Sequence, residues 1–105
     1  MVKFCVTYEG RPEDPVKFDL YYHDEHLPIV ARWPGIRRLS VNKALQLNEG
    51  VYMIVEMLFD DIAALEAAFA SPERAEAAQD RYNFPNFYGT IRHQVLEILE
   101  YSIKA

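Results

Sequence analysis

Cysteine is nearly absent. Cys5 stands alone among 105 residues, so no intrachain disulfide forms, and such thin usage fits a reducing compartment. Glycine is sparse too, at four, and neither an internal repeat nor a low-complexity stretch is present. Positive charge is the minority: 11 lysines and arginines face 16 acids, a net of −5. The nearest basic group, Arg32, Arg37 and Arg38, is small. A nucleic-acid backbone selects clustered lysine and arginine, so nucleic acid is not an expected partner. No apolar run approaches the ~20 residues needed to span a bilayer. The opening MVKFCVTYEG carries Lys3 and Glu9 and is too short an apolar stretch for a secretory signal. The expectation is one cytoplasmic domain with no membrane partner.

Half the residues are hydrophobic, enough for a core, although a chain of this size leaves much surface uncovered. Val2, Phe4, Val6 and Tyr8 alternate with Lys3, Cys5 and Thr7, which reads as a strand over Val2–Tyr8. Gly10 and Pro12 read as breakers in a loop over Glu9–Glu13. Asp14-Pro15 starts a helix, with aspartate as cap and proline in first position. That helix runs to about Arg32, bends near Asp24–Leu27 because of Pro28, and stops at Pro34-Gly35. At ~100° per residue, Val16, Leu20, His23, Leu27 and Val30 share one side, and Phe18, Tyr22, His26, Ile29 and Trp33 widen it.

Ile36–Leu47 alternates as a second strand, and Asn48-Glu49-Gly50 supplies a hairpin turn. Val51–Phe59 is almost wholly apolar, as expected of a strand covered on both faces. Asp60-Asp61 caps a helix over Ile62–Ala70, and Ser71-Pro72 restarts it through Glu73–Arg81. Tyr82–Gly89 reads as an aromatic loop, either a lid or a packed connector. Arg92–Tyr101 is the last strand. The order β-α-β-β-α-β predicts a ferredoxin-like, α+β fold with a four-stranded antiparallel sheet and helices on one face. The bare sheet face predicts a two-fold homodimer.

His26 is the sharpest candidate for chemistry. An imidazole within an apolar helical arc is either a proton shuttle or a core side chain satisfied by a backbone carbonyl. Tyr22 lies one turn before it. Asp19 and His23 share its helix, and the spacing places all three along one groove. His23-x-x-His26 offers only two metal ligands, fewer than a stable site needs, so no metal is expected. Trp33, with Tyr8 and Tyr52, lines a cavity or fills the core. Ser40, Asn42, Thr7 and Glu56 point polar groups from strands toward a wet chamber or toward solvent. Cys5 reads as buried packing.

Phe18-x-x-Tyr21-Tyr22-x-x-x-His26-x-Pro28, followed by Trp33-Pro34-Gly35, resembles the signature of EthD-domain proteins. The later SPERAEAAQDRYNFPNFYG resembles that family's second motif, with Asp80, Phe84 and Phe87 at its marked positions. The resemblance spans nearly the whole chain and places residues 1–105 in one domain of the dimeric α+β barrel superfamily. It implies a homodimer whose sheets face each other, and a pocket between the first helix and the sheet lined by His26. It implies no metal and no cofactor. Relatives include proteins of ether-degradation operons, lactone isomerases, and polyketide cyclases or decarboxylases. The stretch between Asp80 and the last strand is longer than the motif's shortest form. Two functions are expected. One is a cofactor-free isomerase, cyclase or decarboxylase acting on a small hydrophobic, cyclic or aromatic-derived compound. In it His26 is catalytic, and Tyr22, Trp33, Asp19, His23, Ser40 and Asn42 hold the substrate. The other is a non-catalytic ligand-binding or accessory barrel of a degradation operon.

Overall fold

The computed structural model describes residues 1–46 and 50–104. β1 (Val2–Pro12), β2 (Arg38–Lys43), β3 (Val51–Phe59) and β4 (Phe87–Glu97) form one antiparallel sheet in the order β2-β3-β1-β4. Between β1 and β2 lie α1 (Pro15–Tyr21), a wide turn over Tyr22–His26, and α2 (Leu27–Val30). Between β3 and β4 lie α3 (Ile62–Phe69), α4 (Pro72–Asp80) and a 3-10 turn over Arg81–Asn83. This is the expected ferredoxin-like arrangement. The hairpin turn expected at Asn48-Glu49, and Leu47 before it, lie outside the described residues.

Register sorts the sheet into two faces. Phe4 pairs with Met57 and Val95, and Val6 with Val55 and His93, so these side chains share the helix-covered face. Lys3, Cys5 and Thr7 fall on the other face, opposite Leu58, Glu56 and Ile54. The core therefore sits between one face and the helices: Phe4, Tyr8, Val55, Met57 and Phe59 below, Phe18, Tyr22, Val30, Trp33 and Leu65 above.

The caps follow the sequence. Asp14 Oδ1 accepts from the Lys17 amide at 3.1 Å, Asp61 Oδ1 from Ala64 at 2.8 Å, and Ser71 Oγ from Arg74 at 3.2 Å. The first helical segment ends earlier than expected, at Val30 with Ala31 as its C-cap, and Gly35, at φ +78°, turns the chain beyond it.

Several boundaries move. β1 runs on through Gly10 to Pro12, where a loop was expected, and β4 begins at Phe87 rather than Arg92. The two extensions pair, with Gly10 opposite Gly89. Both glycines have positive φ, +126° and +150°. A Cβ on Gly89 would lie 1.8 Å from the Glu9 carbonyl oxygen, and one on Gly10 would lie 2.0 Å from that of Tyr88. The glycines thus permit a close crossing instead of breaking the strand. β4 ends at Glu97, short of Tyr101, and β2 starts at Arg38 rather than Ile36.

The expected bend at Pro28 takes a specific form. Proline has no amide to give to Asp24, and the chain widens one turn earlier: the Leu27 amide donates to the Tyr22 carbonyl, five residues back. The buried face is narrower than expected. Phe18, Tyr22, His26, Val30 and Trp33 point inward, whereas Val16 and Leu20 are 71% and 59% exposed, and His23 faces solvent.

Candidate active site

The wide turn determines what His26 meets. At about 100° per residue, positions 21 and 26 would lie about 140° apart on a regular helix. A turn closed five residues apart draws them toward one side. Here both reach Asp80, the last residue of α4. Tyr21 donates its hydroxyl to Asp80 Oδ1 at 2.6 Å, and His26 Nδ1 lies 2.9 Å from Asp80 Oδ2. The Asn83 amide adds a third bond to Oδ1 at 3.2 Å. Packing of α2 against α4 is what brings residues 54 apart in sequence into contact.

The protonation states follow from these partners. Burial works against ionisation of Asp80, but the bonds from Tyr21, His26 and Asn83 outweigh it and hold the carboxyl below its ordinary range. An ionised carboxylate only accepts, so His26 Nδ1 carries the proton. The His26 imidazolium is disfavoured mainly by burial and secondarily by the nearby Arg81 charge. The Asp80 carboxylate opposes both, and the net pKa lies below 6.5. Neutral His26 therefore keeps a lone pair on Nε2. Its ring is 6% exposed, wedged between Tyr22 at 4.9 Å and the edge-on Phe84 ring at 4.6 Å.

His26 lines a cavity of about 410 Å³ between the helices and the sheet. That volume suits a molecule of one or two rings. Phe4, Val6, Val30, Met57, Phe69 and Ile91 supply apolar walls. Tyr8, Tyr22, Trp33, Arg74, Arg81 and His93 supply polar groups. Tyr8 donates its hydroxyl to that of Tyr22 at 3.1 Å, which leaves the Tyr22 proton free to point elsewhere. Burial pushes the Tyr8 hydroxyl up to about 12 and Tyr22 well above its usual value, so both stay protonated donors.

Tyr22 and Trp33 thus share the cavity with His26, and four expected site residues do not. Asp19 turns to the other flank of the helix, where it pairs with Lys43 and accepts from the Tyr52 hydroxyl at 2.8 Å. His23 is solvent-exposed and contacts Asp24 at 2.9 Å, so it does not converge with His26 on a shared metal. Asp19 and His23 instead edge a separate hollow of about 270 Å³ with Val41 and Met53. Ser40 and Asn42 lie on the far face of the sheet, where Asn42 donates to Glu56 and to the Ile54 carbonyl, both at 3.0 Å. Asp19 and His23 thus lie on helix flanks turned from the cavity, and Ser40 and Asn42 on the sheet face turned from the helices. Among the described residues, no three His, Cys, Asp or Glu side chains gather as a metal site.

Missed as site residues were Asp80, Tyr21, Arg74, Arg81 and His93. Asp80 did stand out in the second motif, and the ferredoxin-like order places both helices on one sheet face. Those two signals together would have pointed to it.

Residues 11–87 match the EthD domain. The chain belongs to the EthD-domain family. One relative is an uncharacterised 11.0 kDa protein from the thcB-thcC intergenic region of Rhodococcus erythropolis. It is 33% identical over 87 residues, 80% of this chain and 84% of that protein. An ethyl tert-butyl ether D (EthD) family protein from Bacillus halodurans superposes with a TM-score of 0.81 at 26% identity, covering 94% of this chain and 99% of that one. SnoaB, a cofactor-independent oxygenase from Streptomyces nogalater, shares the fold at a TM-score of 0.66 and 18% identity, covering 95% and 94%. No helix among the described residues is long and apolar enough to cross a membrane.

Proposed function

We propose that this EthD-domain protein is a cofactor-independent enzyme that moves a proton on a small hydrophobic, cyclic or aromatic-derived carbonyl compound, with His26 as the shuttle. The observation that carries this reading is the His26–Asp80 pair. Its Nδ1 is committed to a buried carboxylate at 2.9 Å, which leaves Nε2 for the cavity. Nε2 takes a proton from the carbon beside the carbonyl, the electron pair moves onto oxygen, and the proton returns at the same or a vinylogous carbon. Asp80 stabilises the transient imidazolium, and the Tyr22 hydroxyl donates toward the enolate oxygen. Atoms and electrons balance without an external oxidant. SnoaB, a cofactor-independent oxygenase, shares this fold, which supports a reaction carried by side chains without a cofactor, though of another type.

The reading includes a homodimer. The face of the sheet away from the helices carries Ile54, Leu58 and Leu96 among polar neighbours, only part-covered by the chain itself. A second copy would cover them.

The test is hydrogen exchange of the α-protons of 2-tetralone, α-angelica lactone and phenylpyruvate in D₂O, followed by NMR. The wild type is expected to accelerate exchange of at least one compound, and His26→Asn to lose about 100-fold of that rate. The rate should rise with pH through a midpoint below 6.5, because the base form of His26 is the active one. No acceleration of any probe, or an unchanged rate in His26→Asn, contradicts the proposal and leaves a binding or accessory barrel.

A further inference from the structure

We infer that the ligand of this cavity is a small alicyclic or aromatic carboxylate, its anionic group received by Arg74 and Arg81 while its ring lies on the apolar wall. The inference rests on the reading of this cavity as the ligand site and narrows the ligand's chemistry. The protein has an excess of acids, 16 against 11 bases, so carboxylate partners are plentiful. Arg32, Arg37 and Arg92 each have one, in Glu76, Asp60 and Glu9. Arg74 and Arg81 both line the cavity, and neither is in an ion pair among the described residues. Arg74 instead lies over the Phe69 ring at 5.0 Å, which holds its guanidinium at the apolar wall.

Further observations converge on an anion. None of the described residues lining the cavity is Asp or Glu. Trp33 lines the same wall, so its indole reports on an occupant of the cavity. The positive field already acts on the other cavity groups. Arg81 and Arg74 add to burial in lowering the pKa of His93, and Arg81 opposes the upward push on Tyr8 and Tyr22. His93 stacks on Phe4 at 5.6 Å, so the cationic side of the cavity abuts a flat apolar surface that fits a ring. Electrostatics of this kind select charge type more than they add raw affinity.

Trp33 is the sole tryptophan, so its indole N–H gives a single, unambiguous NMR signal. The experiment titrates cyclohexanecarboxylate and its neutral isostere cyclohexanecarboxamide into ¹⁵N-labelled protein at about pH 7.5, with shifts read at Trp33. The carboxylate should bind at least roughly tenfold more tightly, and added salt should erode that advantage. In the Arg74→Gln/Arg81→Gln double variant the preference for carboxylate over amide should vanish. Arg81→Lys should retain part of the preference, and the spectrum itself reports that each variant is folded. Equal binding of acid and amide in the wild type would overturn the anion inference, yet leave intact the His26 reading, which neutral tetralone and the lactone test separately. A Trp33 signal that moves with neither probe would overturn the inference.

Discussion

His26 and Asp80 differ in how visible they were. A histidine four residues after a tyrosine and two before a proline, inside an apolar arc, is conspicuous in sequence. Its buried partner is not, because 54 residues of chain separate them and only helix–helix packing joins them. Local spacing favoured Asp19, which in fact serves Lys43 and Tyr52. The same limit applies to Arg74 and Arg81: nothing local marks them, and that both line the cavity with no ion pair among the described residues emerges only from the completed fold. Chemistry that depends on one residue's type was legible. Chemistry that depends on two residues meeting was not.

At the scale of elements, caps and breakers read well where they act locally, as Asp14, Asp61 and Ser71 show. Glycine read badly, because its role depends on a neighbouring strand. Gly10 and Gly89 sit opposite each other at positive φ, with carbonyl oxygens where side chains would go. Gly89→Ala should therefore destabilise the protein by more than about 2 kcal/mol, through strain and forced separation of β1 from β4. Urea unfolding measures this, and a midpoint within error of wild type would refute the account of the crossing. The wide turn at Tyr22–His26 is a second tertiary lesson. Pro28 announced a distortion, but not that it would rotate Tyr21 and His26 onto one carboxylate.

For the whole molecule, fold class was the most legible property, since element order and the hydrophobic period both pointed to β-α-β-β-α-β. Which strand residues faced the helices followed only once register was known. The helix-covered face encloses the His26 cavity, whereas Ser40, Asn42 and Glu56 belong to the far face, the proposed meeting place of two copies. Sedimentation equilibrium should accordingly give a mass twice the 12.2 kDa chain, and Leu58→Arg should shift it toward the monomer by placing a charge in the buried patch. A wild-type monomer at micromolar concentration would remove the dimer and leave the His26 cavity, which lies on the other side of the sheet.

The chemistry requires His26 to be a neutral base held by an ionised Asp80, with Nε2 free toward the cavity. Long-range ¹H–¹⁵N NMR of the imidazole across a pH series reads this directly. The predicted result is a proton on Nδ1, an unprotonated Nε2 at neutral pH, and a titration midpoint below 6.5. A proton on Nε2, or a midpoint at or above 6.5, would contradict it.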